Sequence, residues 1–267
     1  MGVAVNPDAV KGNGKGFTYS LLGVNGALGN QLWQIAGTVG WSLKSQVPPV
    51  FPRWHYEGFF NIPLKYFTYK IPEDRNDLSP DYLQDRRHWD FIEDVIKELF
   101  APSEDSSLWI ADRYAGENLK KYVAVHVRRA NNIALPDHHP VCPIEYFEEA
   151  LDRIGNYPVM VFSDDPGWCK EQSIFKDAFY AEGIPSSVNV MELTKYAPLN
   201  HSSAALDLLT MAQCSRHVIS NSTFSWWGAY LAGSRHTIYP GRWYGPMVKA
   251  DPSLMFHNLD WERVDFE

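Results

Sequence analysis

Two adjacent arginines, Arg128 and Arg129, follow a run of apolar residues that ends at Val127. A guanidinium presents a planar set of N–H donors that matches the oxygens of a phosphate or a carboxylate, so this pair can bind an anion. The pair can equally form structural salt bridges, and the residues alone favour neither interpretation. Because successive strand residues point to opposite faces, we expect one of the two to meet a given ligand directly.

Two carboxylates, Asp164 and Asp165, follow the apolar run at 158–162. They can accept hydrogen bonds from a ribose or a base, and they can also cap the helix predicted after them. The chain contains no Asp-x-Asp triplet, the usual sequence signature of a metal-bridged diphosphate. Adjacent histidines such as His138 and His139 are placed poorly for one ion, so we predict no metal site.

Hydroxyl residues stand at the start of a predicted helix: Ser222, Thr223 and Ser225. Hydroxyl and backbone N–H donors grouped at a helix start suit a phosphate. The glycine-rich turn at 26–31 permits close approach of a ligand, but the residues alone favour a plain strand-to-helix turn capped by Asn30. This turn lacks both the Gly-x-Gly-x-x-Gly spacing of a dinucleotide site and the Gly-Lys-Ser/Thr of a phosphate-binding loop.

Strands and helices alternate along the second half of the chain. We predict strands at 122–127, 158–162, 187–191, 217–220 and 237–239, and helices after Pro143, around 205–212 and at 224–232. This alternation predicts a parallel sheet covered by helices on both faces. Ligands of such sheets bind beyond the carboxyl ends of the strands, where the residues named above lie.

The first half of the chain is less regular. We predict a strand at 17–22, a helix that follows it, irregular structure over 45–90 and a second helix at 91–100. The first helix should bury one face, formed by Leu32, Ile35, Ala36, Val39 and Leu43. Small polar residues between 100 and 120 predict the join between two α/β lobes, which gives domains at 1–110 and 111–267.

The composition excludes several classes of protein. The chain has 267 residues, 45% of them hydrophobic and 21% charged, which is typical of a globular protein. A net charge of −8 argues against nucleic-acid binding. Three cysteines form no disulfide framework, and the sequence shows no signal peptide or apolar run of membrane-spanning length. We therefore expect a cytoplasmic protein, with peripheral membrane association left open.

Four segments of the chain resemble glycosyltransferase family 11, the family of α-1,2-fucosyltransferases. They are GALGNQLWQIAG at 26–37, VHVRRANN at 125–132, VFSDDPGWCKE at 161–171 and LDLLTMAQCSRHVISNSTFSWWGAYLA at 206–232. The resemblance implies two Rossmann-like lobes of the GT-B type with a cleft between them. It also implies inverting transfer of fucose from GDP-fucose to a hydroxyl of a galactose-containing glycan, with no metal or other cofactor.

The same resemblance implies roles for individual residues. An arginine of the His-x-Arg-Arg motif holds the donor diphosphate, a role that we assign first to Arg128 and otherwise to Arg129. His126 is a motif member near the donor, and Asn30 reaches the reaction centre from the other lobe. The remaining donor-binding residues are Asp164 and Asp165 for the guanine or ribose, and Ser222, Thr223 and Ser225 for the diphosphate or fucose.

One departure from the family pattern concerns the catalytic base. Ala130 and Asn131 stand where the family has Gly-Asp, and an amide cannot act as a carboxylate base. If the family's Asp only positions the loop, Asn131 can replace it; otherwise His126 and Asp137 are the candidate bases. Three other functions stay open: a fucosyltransferase of another linkage such as α-1,6, a non-catalytic GDP-sugar binder, and a dinucleotide oxidoreductase.

Overall fold

The computed structural model describes residues 16–181, 199–234 and 236–266, so the strand predicted at 187–191 lies outside the described residues. The chain divides into two compact units. The first unit contains the described residues up to Ser106 together with 199–205 and Ser253–His257. The second contains 107–181, 206–252 and 258–266.

Helix α1 (Leu28–Ser45) forms the centre of the first unit. Four of the five residues predicted on its apolar face are buried, which confirms the helix, whereas Leu43 in the last turn is 47% exposed. The short strands β1 (Phe17–Thr18) and β4 (Asn76–Asp77) pair in parallel. The strand predicted at 17–22 was too long, because the chain turns back at Tyr19, whose carbonyl accepts the N–H of Leu22 at 3.2 Å.

The region between α1 and residue 90 is irregular, as predicted. Its strands β2 (Phe51–Pro52) and β3 (Phe67–Thr68) pair in parallel and have two residues each. These strands are shorter than those of the Rossmann-like lobe that the resemblance implies. The prolines interspersed over 48–80 supply no N–H to extend a ladder.

Two helices follow this region. The helix predicted at 91–100 begins two residues later, as α2 (Glu93–Leu99), and buries Ile96 and Leu99. Helix α3 (Glu104–Arg113) was not predicted, because its small polar start is typical of a linker. Its apolar residues Trp109 and Ile110 are nevertheless buried.

The second unit is built on a six-stranded parallel sheet, which confirms the predicted sheet type. Its order is β10-β9-β8-β5-β6-β7. The strands are β5 (Val123–Val127), β6 (Val159–Ser163), β7 (Phe179–Tyr180), β8 (Arg216–Val218), β9 (His236–Pro240) and β10 (Glu262–Val264). Strands β7 and β10 were missed, because they are too short to show a period of two.

Helices alternate with these strands along the chain. They are α4 (Ala130–Ala134), α5 (Ile144–Ile154), α6 (Pro166–Glu171), α7 (Leu199–Met211) and α8 (Thr223–Leu231). The valines at 123, 125 and 127 point to one face of β5 and join a core with Tyr146 and Phe147 of α5. Within the described residues, none of the helices combines the length and apolar character that a membrane span requires.

Candidate functional site

The carboxyl ends of β5, β6 and β8 form one edge of the sheet, because β5 lies between the other two strands. The registers of these parallel pairs place Val127 opposite Ser163 and Val125 opposite Val218. The polar residues that follow the three strands therefore converge at this edge, as the parallel-sheet rule predicts.

Arg128 is held at this edge by both its side chain and its backbone. Its Nη1 lies 2.6 Å from Oδ2 of Asp164, and the two side chains are 32% and 21% exposed. Its N–H donates to Oγ of Ser220 at 3.1 Å, and the Ser220 hydroxyl donates to the carbonyl of His126 at 2.6 Å. Arg128 is thus ion-paired and fixed in place while its guanidinium still reaches solvent.

Arg129 makes a different set of contacts. Its Nε lies 3.2 Å from Oδ2 of Asp165, and its guanidinium carbon is 3.9 Å from the ring centroid of Trp168. Oδ1 of Asp165 accepts the N–H of Trp168 at 3.1 Å, so this carboxylate also caps α6. The N–H of Arg129 donates to Oδ1 of Asp164 at 2.8 Å. Both arginines therefore form salt bridges within the protein, which is one of the two interpretations that the sequence left open.

His126 points to the face of β5 opposite the valines and is 6% exposed. Its ring lies 5.2 Å from that of Phe224 in α8, and its Nδ1 has no hydrogen-bond partner among the described residues. Burial, together with the charge of Arg128, lowers the pKa of His126 to about 3. A neutral imidazole of such low basicity is a weak proton acceptor at pH 7, which disfavours His126 as the general base.

The start of α8 presents some of the predicted hydroxyls and buries another. Ser222 is the N-cap residue in an extended conformation, and its side chain makes no capping bond, so it and Thr223 stay partly exposed. The first N–H groups of this helix lack intrahelical acceptors and favour an anion. Ser225 is fully buried, and its hydroxyl contacts the carbonyls of Ser220 and Ser222 at 3.4 and 3.2 Å. The Ser225 hydroxyl therefore offers no donor to a ligand in this conformation.

Asn221 holds two loops together at this edge of the sheet, a role that the sequence did not indicate. Its Nδ2 donates to the carbonyls of Pro140 and Trp243 at 2.9 and 3.0 Å, and the residue is 5% exposed. A buried amide with two backbone acceptors fixes the loops on either side of it. The following tryptophans, Trp226 and Trp227, are fully buried, so both belong to the core.

The glycine-rich turn belongs to the first unit and is held by amide side chains. Gln31, which is 2% exposed, donates to the carbonyl of Gly26 at 2.7 Å and accepts the indole N–H of Trp54 at 2.7 Å. Asn30 is not the cap, because Ala27 occupies that position; its Oδ1 accepts a bond of 2.9 Å from Gln84. Arg128 lies in the second unit, so the chemistry expected of Asn30 stays a prediction.

A groove with a volume of about 480 Å³ opens beside Arg129. It is lined by Arg129, Ile133, Pro136, Asp137, Pro140, Val141 and Arg242. Arg242 follows β9, and sequence reasoning missed it because Pro240 and Gly241 separate it from the predicted strand. Within the described residues, no three or more of the His, Cys, Asp and Glu side chains are grouped so that they could hold a metal ion.

A parallel α/β sheet whose carboxyl edge gathers arginines, carboxylates and a helix N-terminus is typical of enzymes that bind phosphorylated ligands. The chain belongs to glycosyltransferase family 11, since the model of that family, "Glycosyl transferase family 11", matches residues 48–242. The matched region contains every site residue predicted from the sequence except Asn30.

Three curated relatives are similar to parts of this chain. The O-antigen biosynthesis glycosyltransferase WbnK of Escherichia coli is 30% identical over 61% of this chain and 54% of its own length. An α-1,2-colitosyltransferase of Escherichia coli is 30% identical over 46% and 41%. The galactoside 2-α-L-fucosyltransferase Sec1 of Mus musculus is 30% identical over 54% and 36%. The chain thus spans about half the length, or less, of the curated relatives it matches.

A solved structure also matches the chain. The fucosyltransferase NodZ from Bradyrhizobium aligns with a TM-score of 0.49 and 14% identity, over 80% of this chain and 92% of NodZ.

Proposed function

We propose that the protein is an inverting glycosyltransferase that transfers fucose from GDP-fucose to a galactoside hydroxyl in α-1,2 linkage. Family membership and the names of the relatives support this class of reaction. The observation that carries the proposal is the position of Arg128 at the carboxyl end of β5, oriented by Asp164 and Ser220 and still 32% exposed. We also propose the two-lobed GT-B arrangement that the family resemblance implies.

In the proposed reaction the acceptor hydroxyl attacks C1 of fucose from the face opposite GDP. The new C–O bond forms as the bond from C1 to the phosphate oxygen breaks, and the configuration at C1 inverts. Negative charge builds on the departing diphosphate, where donors oriented in advance stabilise the transition state. Arg128 and the first N–H groups of α8 supply these donors, and the acceptor proton passes to a base or to water.

The pairing of Arg128 with Asp164 suits this role. The carboxylate holds the guanidinium in one orientation, so that less side-chain freedom is lost when a phosphate binds. Asp164 also accepts the N–H of Arg129, which keeps it in place when Arg128 moves onto the ligand. The Arg128 side chain therefore needs only a local adjustment to exchange the Asp164 carboxylate for a phosphate of the ligand.

The test uses GDP-fucose and a panel of galactosides, with and without EDTA, and reads the product by mass spectrometry and NMR. We expect α-1,2-linked product that is insensitive to EDTA. Arg128→Ala should lower kcat/KM roughly 10²- to 10³-fold, because it removes a donor to the leaving group. The control is Arg153→Ala, which removes an exposed arginine of α5 that pairs with Glu262 at 2.6 Å.

Each alternative result has a defined meaning. Transfer by Arg128→Ala at the rate of the unaltered protein would contradict the role of this arginine. An α-1,6-linked product would overturn the proposed α-1,2 linkage and leave the proposed reaction, transfer of fucose from GDP-fucose, standing. Binding of GDP-fucose without transfer to any acceptor would instead identify a non-catalytic binder, the alternative that Asn131 in place of the family's Asp leaves open.

A further inference from the structure

The three arginines at the carboxyl edge of the sheet differ in whether they form an ion pair with a carboxylate. Arg128 is paired with Asp164 and Arg129 with Asp165, so each motif guanidinium already has a carboxylate partner. Arg242 is exposed and forms no ion pair with any residue in the part of the chain that the structure describes. Among these three arginines, Arg242 is therefore the one whose guanidinium no carboxylate of the described residues engages.

Arg242 shares a groove with Arg129. The two arginines follow β9 and β5, which are separated in the sheet by β8 alone. Two strand spacings place their starting points roughly 10 Å apart, which suits two side chains that reach one diphosphate. The N-cap of α8 follows the intervening strand β8, so the helix N–H groups lie between the two arginines along the edge.

The loop that contains Arg242 is held in place by backbone contacts. The carbonyl of Trp243 accepts a bond from Asn221, and the N–H of Gly241 donates to the carbonyl of Val264 at 2.8 Å. The N–H of Gly245 donates to the carbonyl of His138 at 2.9 Å, which ties this loop to the opposite side of the groove. An arginine on an anchored loop loses little backbone freedom when it binds a ligand.

We propose that Arg242 binds the diphosphate of the nucleotide donor and offers the leaving group a guanidinium that no carboxylate of the described residues engages beforehand. This inference rests on the proposed function, since it takes GDP-fucose as the donor. It distinguishes two tasks: Arg128 and Arg129 provide donors that carboxylates already orient, whereas Arg242 provides a guanidinium that is not engaged in an ion pair. Asp137 lines the same groove and opposes the binding of an anion there.

The test is the affinity of the full chain for GDP, GMP and guanosine, measured by isothermal titration calorimetry. We expect Arg242→Ala to weaken GDP binding roughly 10- to 100-fold, as loss of a hydrogen bond to a charged group predicts. Guanosine affinity should change less than about twofold in the same variant, because guanosine carries no phosphate. Asp137→Asn should strengthen GDP binding, and Arg153→Ala should leave it unchanged.

The outcomes separate this inference from the proposed function. Equal GDP affinity in Arg242→Ala and the unaltered protein would overturn the role of Arg242 and leave the proposed function standing. Equal losses of affinity for guanosine and for GDP in Arg242→Ala would also overturn it, because the substitution would then act on binding of the nucleoside and not of the diphosphate. Failure of the unaltered protein to bind GDP would overturn both, and matching melting temperatures would show that each variant folds.

Discussion

At the scale of single residues, Ser220 connects the two central strands of the site. Its hydroxyl accepts the N–H of Arg128 and donates to the carbonyl of His126, and its side chain is fully buried. Removing a buried hydroxyl removes both of its hydrogen bonds to the backbone. Ser220 thus positions the guanidinium of Arg128 without touching the ligand itself.

We expect Ser220→Ala to lower the free energy of unfolding by about 1–3 kcal/mol, because it removes the acceptor of the part-buried Arg128 N–H and the donor to the His126 carbonyl. GDP affinity should fall as well, since the backbone of Arg128 is no longer fixed. The measurements are urea denaturation and calorimetric titration with GDP. Ser225→Ala is the matched control, because Ser225 is equally buried but makes only longer bonds, of 3.2 and 3.4 Å. Equal effects of the two substitutions on GDP affinity would contradict a positioning role for Ser220.

At the scale of elements, glycines allow close packing of helices α1 and α8. A Cβ at Gly40 of α1 would overlap the backbone carbonyl oxygen of His88, whereas a Cβ at Gly228 of α8 would overlap the sulfur of Met211. A backbone carbonyl cannot move without displacing its whole segment, but a methionine side chain can change its rotamer. The two glycines are therefore expected to differ in their tolerance of alanine.

We expect Gly40→Ala to destabilise the protein by about 1–3 kcal/mol or more, as overpacking of a rigid contact does. Gly228→Ala should cost less, because the Met211 side chain can rearrange around the added methyl, whereas the gain of roughly 1 kcal/mol in helix propensity is common to both variants. Thermal unfolding of the two variants checks this order. A Gly228→Ala variant less stable than Gly40→Ala would show that the sulfur contact is the more rigid of the two.

The elements themselves were predictable to different degrees. Strands of five residues such as β5 and β6, and amphipathic helices such as α1 and α5, follow from the spacing of their apolar residues. Helix α5 begins at Ile144, as its proline predicts, although Pro143 is the cap and not the first helical residue. Helix α3 and the short edge strands depend on packing partners that no local pattern shows.

At the scale of the whole molecule, buried histidines couple stability to pH. Burial lowers the pKa of His126 to about 3 and that of His217 to about 4. Burial also lowers the pKa of His88 in the first unit. In the unfolded chain these side chains regain a pKa near 6.5, so below that pH the unfolded state binds protons that the folded state does not. Stability is thus reduced on acidification.

We expect the contribution of His217 to the free energy of unfolding to fall between about pH 6.5 and pH 4, the two pKa values that bound the effect. His217→Gln should reduce the dependence of unfolding free energy on pH by up to about 1.4 kcal/mol per pH unit in this window. Urea denaturation at several pH values measures the slope. The exposed His236 provides the control His236→Gln, and an equal reduction in both variants would contradict the assignment.

The sequence by itself determined the α/β class, the parallel sheet and the strand ends at which polar residues gather. These features follow from local periodicity and from the rule that parallel strands share a carboxyl edge. Only the tertiary structure decided which carboxylate pairs with which arginine, that Ser225 and both tryptophans are buried, and that Arg242 shares a groove with Arg129. The physical reason is distance along the chain: Arg128 and Ser220 are 92 residues apart, and such contacts arise from packing.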